Sequence, residues 1–280
     1  MWGTTGTARE LGPDAASPLS VGAVRLVVGG GLLLLLARAR GFRFVAASWK
    51  VRPLALAVAC MAAYQPLFFG GVSRAGVAVG TVVGIGTAPI VGGLLGRFVR
   101  GEHLGGRWLL CTAVAVAGAV LLATAGSSGD GEHVALGLLL ACGAGTVYAV
   151  YVAASAVLLD EHEAPDVAAV VLGGAGVVLV PVALLSHPGW VVSGRGAATA
   201  LWLGVVTVAV AYPLLARGLA LVGVGATSTL TLAEPAVAAS LGLVVLGERL
   251  SVAGYLGLVL VAAGVVVEAL SRQRVVPSGA

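Results

Sequence analysis

The chain has 280 residues, 59% of them hydrophobic and only 10% charged, with a formal charge of +4 and a mean hydropathy of +1.06. A soluble domain carries about 25% charged residues, and apolar stretches here repeatedly reach the ~20 residues that a helix needs to cross a ~30 Å hydrocarbon layer. These values exclude a soluble fold, and the absence of ~10-residue alternating segments excludes a membrane β-barrel; the reading is an all-α polytopic membrane protein. No basic patch is interleaved with aromatics, so nucleic acid is not a partner, and the lipid bilayer is.

In chain order, the opening "MWGTTGT" is apolar for about seven residues before "ARELGPDAASP", well short of the ~20 a span needs. It has neither the basic leader nor the apolar centre of a secretory signal. The expectation is a first helix cut short. Five complete spans follow: Leu19–Ala37, Pro53–Val72, Ala75–Gly96, Trp108–Ala125 and Val134–Leu159. Four more come after them: Val167–Ser186, Ala198–Arg217, Val222–Leu246 and Val252–Leu270. Gly126–Gly131 and His187–Gly196 read as turns rich in Gly, Ser and Pro, and residues 272–280 as a polar tail.

Lys and Arg set the orientation. Arg38, Arg40, Arg43, Lys50 and Arg52 follow the first full span, Arg97, Arg100 and Arg107 lie two spans on, and Arg272 and Arg274 close the chain. The alternate loops hold Arg9, Arg74, Arg195 and Arg249. The positive-inside rule therefore places the rich loops and the C-terminus in the cytoplasm of a cell membrane. The acidic loop Asp160–Asp166 falls on the same side by alternation, against the local charge trend.

Two stretches resemble each other. One opens at Tyr64 with "YQPLFF" and the other at Tyr212 with "YPLLARG"; each continues through a Gly/Ala/Val/Thr-rich segment, a mid-span proline and a Gly-Glu-x-Leu. Pro89 and Pro235 lie 146 positions apart, as do Glu102 and Glu248. At that offset Trp2 falls near Tyr148, about a dozen residues into its span, so the full arrangement is five spans plus five. Five is odd, so the second copy crosses in the opposite sense, as in secondary transporters that bind substrate near the midplane between inverted repeats. The units are residues 1–125, with the first helix incomplete, and 134–271.

The "WGTTGTA" opening, "YQPLFF…SRAGVAVGT…AP…GE" and "AEP…LGERL" together resemble the EamA branch of the drug/metabolite transporter superfamily over nearly the whole chain. The resemblance implies a ten-helix fold of two inverted five-helix repeats around a central cavity. It also implies export of amino acids or other small metabolites.

The candidate transport residues are polar groups inside spans. Glu234 sits about twelve residues from each end of Val222–Leu246, where an acid costs roughly 2.5–3.5 kcal/mol to insert. Two readings stand: it faces a cavity, binding a cationic substrate group or carrying a coupling proton, or it caps a hydroxyl network of Thr227, Ser228, Thr229 and Thr231 loosened by Pro235. Tyr64, Gln65, Tyr148, Tyr151 and Tyr212 are polar-tipped side chains suited to lining a site for amphipathic molecules, and Thr87 and Thr231 join them as hydroxyl candidates. Trp202 reads as an interfacial belt residue, Arg25 as snorkelling to the surface, and Glu268 as solvated. Gly76, Gly80 and Gly84, and Gly92 with Gly96, form small-residue stripes for close helix packing.

No enzyme chemistry emerges. His103, His133, His162 and His187 are spread over loops on both sides and form no metal site, Cys60, Cys111 and Cys142 are packing residues, and "GGVSRAG" lacks the lysine and hydroxyl of a phosphate loop. The expected activity is secondary transport of a small molecule by alternating access without a cofactor, with protons as a candidate coupling ion. A carrier of sugars or nucleotide-sugars, or a non-transporting membrane interaction protein, are the alternatives.

Overall fold

The computed structural model describes residues 1–14, 16–75, 77–124, 134–245 and 251–273. Among these the chain forms eleven α-helices and no strand. They are α1 (Thr4–Glu10), α2 (Pro18–Ala39), α3 (Val51–Ala75), α4 (Val77–Arg100), α5 (Gly106–Thr124), α6 (Val134–Leu158), α7 (Ala164–Leu185), α8 (Gly194–Gly204), α9 (Ala211–Leu230), α10 (Ala233–Val245) and α11 (Val252–Gln273). Among the described residues six helical runs are long and apolar enough to cross a membrane: α2, α3, α6, α7, the run Gly194–Leu230, and α11. The turn expected at Gly126–Gly131 and the tail from Arg274 lie outside the described residues, as do Gly76 and Arg249.

Local signals place the helix starts. Pro18 opens α2, where its missing N–H costs nothing, and the Ser17 hydroxyl accepts from the Ser20 amide at 3.2 Å. Ser193 caps α8 in the same way through the Gly196 amide at 3.0 Å. Pro66, Pro89 and Pro181 all lie inside helices that continue through them, as neighbouring helices in a membrane protein permit.

One expected boundary moves. The loop anticipated between Ala198–Arg217 and Val222–Leu246 is helical, because nothing at Gly218 interrupts the backbone. From Val205 to Val210 the helix widens to π geometry, which leaves the Thr207 carbonyl free to accept from the Trp2 indole at 2.8 Å. The break comes instead at Gly223, with φ 82° and ψ 176°, a conformation only glycine adopts without strain. A second break at Thr231–Leu232 separates α9 from α10, so Val222–Leu246 is not one continuous helix.

The largest helix contacts pair α3 with α6, α5 with α11, α2 with α7, and α4 with α6. One buried core, with Leu26, Met61, Val152, Leu172 and Leu203, runs through α2, α3, α6, α7 and α8. At the α2–α7 crossing the backbones nearly touch: a Cβ on Gly30 would collide with the Leu172 carbonyl, and one on Gly176 would sit 2.7 Å from the Leu26 carbonyl.

The acidic loop finds its place here. Arg100 donates to both carboxylate oxygens of Asp160 at 2.6 and 2.7 Å, Lys50 pairs with Glu161 at 3.0 Å, and Arg40 lies 3.7 Å from Asp166. Trp49 stacks on His162 with centroids 3.8 Å apart. The hydrogen bonds from Arg100 hold the Asp160 carboxyl below its usual range. Thus the acidic loop and the two basic loops converge at one end of the bundle, and the acids neutralise cations that would otherwise repel.

Gly30→Val should lower the thermal unfolding midpoint in detergent, since overpacking a tight crossing costs about 1–3 kcal/mol. Gly31→Ala, whose added Cβ meets nothing within 4 Å, should leave it unchanged.

Candidate functional site

The site is built around the break between α9 and α10. Pro235 has no N–H to offer the Thr231 carbonyl, which instead accepts from the Glu234 amide at 3.0 Å. The Thr231 hydroxyl donates to the Ser228 carbonyl at 2.8 Å and the Thr229 hydroxyl to the Gly225 carbonyl at 3.1 Å. Thr229 also meets the Thr112 hydroxyl of α5 at 2.9 Å. Hydroxyls therefore satisfy the loosened backbone, as broken membrane helices require. Glu234 is among the residues that line a cavity of about 260 Å³, together with Trp2, Leu215, Thr227, Thr231 and Val237.

Behind this cavity runs a chain of aromatic rings. Trp2 packs on Tyr212 with centroids 5.1 Å apart, Tyr212 on Tyr151 at 6.1 Å, Tyr151 on Tyr148 at 5.8 Å, and Tyr148 on Tyr64 at 5.6 Å. The tilted and edge-on geometries are those that ring quadrupoles favour. Facing the chain is Arg25 of α2, only 9% exposed, with its Nε unpartnered. Its guanidinium interacts electrostatically with Glu234, Tyr212 and Tyr64. Arg25 therefore does not snorkel to the surface: α2 turns it inward, where a carboxylate and phenols replace the water it would otherwise seek.

Of the expected residues, Glu234, Tyr64, Tyr148, Tyr151, Tyr212 and Thr231 are brought into this neighbourhood. Gln65 is 2% exposed and faces α2, where a Cβ on Gly22 would lie 2.6 Å from its Oε1; its Nε2 has no partner. Thr87 stands apart at the α4–α6 crossing, donating to the Val83 carbonyl at 2.6 Å and lying 3.8 Å from the Cys142 sulfur. Trp202 is half exposed and donates to the Thr4 hydroxyl at 3.0 Å. Glu268 is buried at 1% exposure, not solvated, in the α5–α11 interface within electrostatic reach of Cys111. Glu102 emerges as a further residue, its carboxylate accepting from the Val224 and Gly225 amides. Among the described residues no group of His, Cys, Asp and Glu could hold a metal ion.

A multi-helix bundle with charged and phenolic groups facing one another inside it has the anatomy of a transporter, and comparison with known proteins decides the point. The model of the EamA-like transporter family matches residues 1–124 and again residues 135–269. The chain belongs to that family. The transporter is also 39% identical over 270 residues to an uncharacterized transporter, YwfM, of Bacillus subtilis (strain 168), covering 95% of this chain and 89% of the other. A solved crystal structure superposes with a TM-score of 0.82 at 21% identity, over 99% of this chain and 95% of that one, which establishes the likeness of fold. The protein is a multi-pass membrane transporter.

Arg25→Gln and Glu234→Gln should each lower the melting temperature of the transporter in detergent, and the double substitution should recover part of the loss. A double-mutant cycle should give a coupling of about 0.5–3 kcal/mol, the range for interacting side chains.

Proposed function

We propose that the transporter moves small zwitterionic or amphipathic metabolites, amino acids foremost, outward by alternating access between two inverted five-helix halves. The support for two halves is the double family match and the element positions. Helices α2 and α7 begin and end 146 positions apart, as do the starts of α5 and α11. Contacts pair in the same manner: α2 packs on α8 as α7 packs on α3, and α6 on α4 as α1 on α10. An odd number of spans per half makes the second half inverted.

One observation carries the substrate reading. Arg25, from the first half, and Glu234, from the second, lie within coulombic reach of each other beside the tyrosine chain. A zwitterion offers a carboxylate to the first and an ammonium to the second, while its side chain meets aromatic faces. Binding such a cargo links the halves, and exchange of the ammonium for a proton at Glu234 would couple transport to the proton gradient. Secondary transport of this kind makes the protein a carrier, not an enzyme. The sugar and sugar-phosphate class gains a cation in Arg25, but Glu234 opposes a phosphate at the same place.

Reconstituted in liposomes with a panel of labelled amino acids and sugar phosphates, the protein should carry at least one zwitterion. Glu234→Gln should cut that flux roughly 10- to 100-fold, the scale of one lost charge-assisted interaction, and abolish its dependence on a proton gradient. Flux confined to sugar phosphates would select the second class, and no flux of any cargo would leave a non-transporting interaction protein.

A further inference from the structure

We propose that Glu102 is a latch that holds the two halves together at one end of the transport path and must release during the cycle; the proposal rests on the two-half reading above. Glu102 lies in the turn after α4, in the first half, and its own amide donates to the Gly96 carbonyl at 2.9 Å. Its carboxylate crosses to the second half, where Oε1 accepts from the Val224 amide at 2.6 Å and Oε2 from the Gly225 amide at 2.9 Å.

These two amides follow the Gly223 break and have lost the preceding helical turn that would orient them. The break exists where the carboxylate arrives. A Cβ on Gly223 would lie 2.7 Å from Glu102 Oε1, one on Gly96 2.6 Å from Oε2, and one on Gly225 3.3 Å from Oε2. Three glycines from both halves thus clear the space for one carboxylate. Trp108 closes the same junction by packing over Gly93, and its indole nitrogen is buried without a partner. Below it the α4–α9 seam continues with Ser228 against Gly92. A carboxylate accepting two consecutive amides is a strong, directional contact across the α4–α9 seam. Breaking it takes the acceptor away from both amides at once, so the contact favours the closed seam while it is made.

In a rocking transporter, opening one end closes the other, which distinguishes a latch from a static cap. Two single-cysteine reporters, in a background with Cys60, Cys111 and Cys142 replaced, read the two ends without needing a cargo. Ser228→Cys reports the Glu102 end and Ala75→Cys, packed on Gly137 between α3 and α6, reports the opposite end. With Glu102 intact, Ser228→Cys should react slowly with a membrane-impermeant maleimide. Glu102→Ala should speed its labelling by about tenfold or more, the scale of losing a charge-assisted hydrogen bond, and should slow labelling of Ala75→Cys. Glu102→Gln, which keeps one acceptor oxygen, should give a smaller change of the same signs and serves if the alanine variant does not fold. Faster labelling at Ser228→Cys with no change at Ala75→Cys would reduce Glu102 to a local cap and overturn the latch, as would unchanged labelling at both. Loss of flux for every cargo with these reciprocal changes intact would overturn the zwitterion reading and leave the latch standing.

Discussion

Inside hydrocarbon, every charge and every interrupted backbone hydrogen bond has to find its partner within the protein. That constraint explains the most irregular part of this molecule. The path from α8 to α10 passes through a π-widened turn, a glycine break and a proline-adjacent break, and each defect is met by a specific group. Trp2 takes the carbonyl freed at Thr207, Glu102 takes the amides after Gly223, and Thr229 and Thr231 return their hydroxyls to carbonyls one turn back. Arg25 is turned inward within electrostatic reach of Glu234 and the tyrosines, where it is 9% exposed.

The regular helices serve these irregular ones. Close backbone approach of α2 and α7 at Gly30 and Gly176 fixes the face of α2 that carries Arg25. Packing of α3 against α6 brings Tyr64 to Tyr148, and the spacing of three residues between Tyr148 and Tyr151 carries the aromatic chain on to Tyr212. At one end the ion pairs of Arg40, Lys50 and Arg100 tie three loops together, so the helices that bear the site are fixed where they emerge.

Much of the bundle was legible in the sequence because bilayer thickness dictates span length: helices cover most of the expected spans, although Val222–Leu246 is divided between α9 and α10. The break at Gly223 was not, since glycine is so frequent here that one more carries no signal; its meaning comes from a glutamate 121 positions away. Arg25 was misread for a related reason. Six residues from a span end, it satisfies the one-dimensional rule for snorkelling, but which face of α2 it occupies depends on α2's neighbours. Glu268 repeats the lesson at α11, where contact with α5 buries a residue that position alone would leave wet. The tyrosines meet one another inside the bundle, where a phenol in mid-span finds partners other than lipid. Glu102 was visible as half of a repeated Gly-Glu-x-Leu, but a repeated motif does not name the element it binds.

The central claim is that Glu234 faces a path through the membrane to which each side gains access in turn. The most direct measurement is the sidedness of thiol modification of Glu234→Cys in proteoliposomes, in the same cysteine-replaced background. The account predicts reaction with an impermeant reagent applied from either face, slowed from both by a transported zwitterion. Reaction only with lipid-soluble reagents, or from neither face, would place residue 234 against acyl chains or sealed packing and contradict the account.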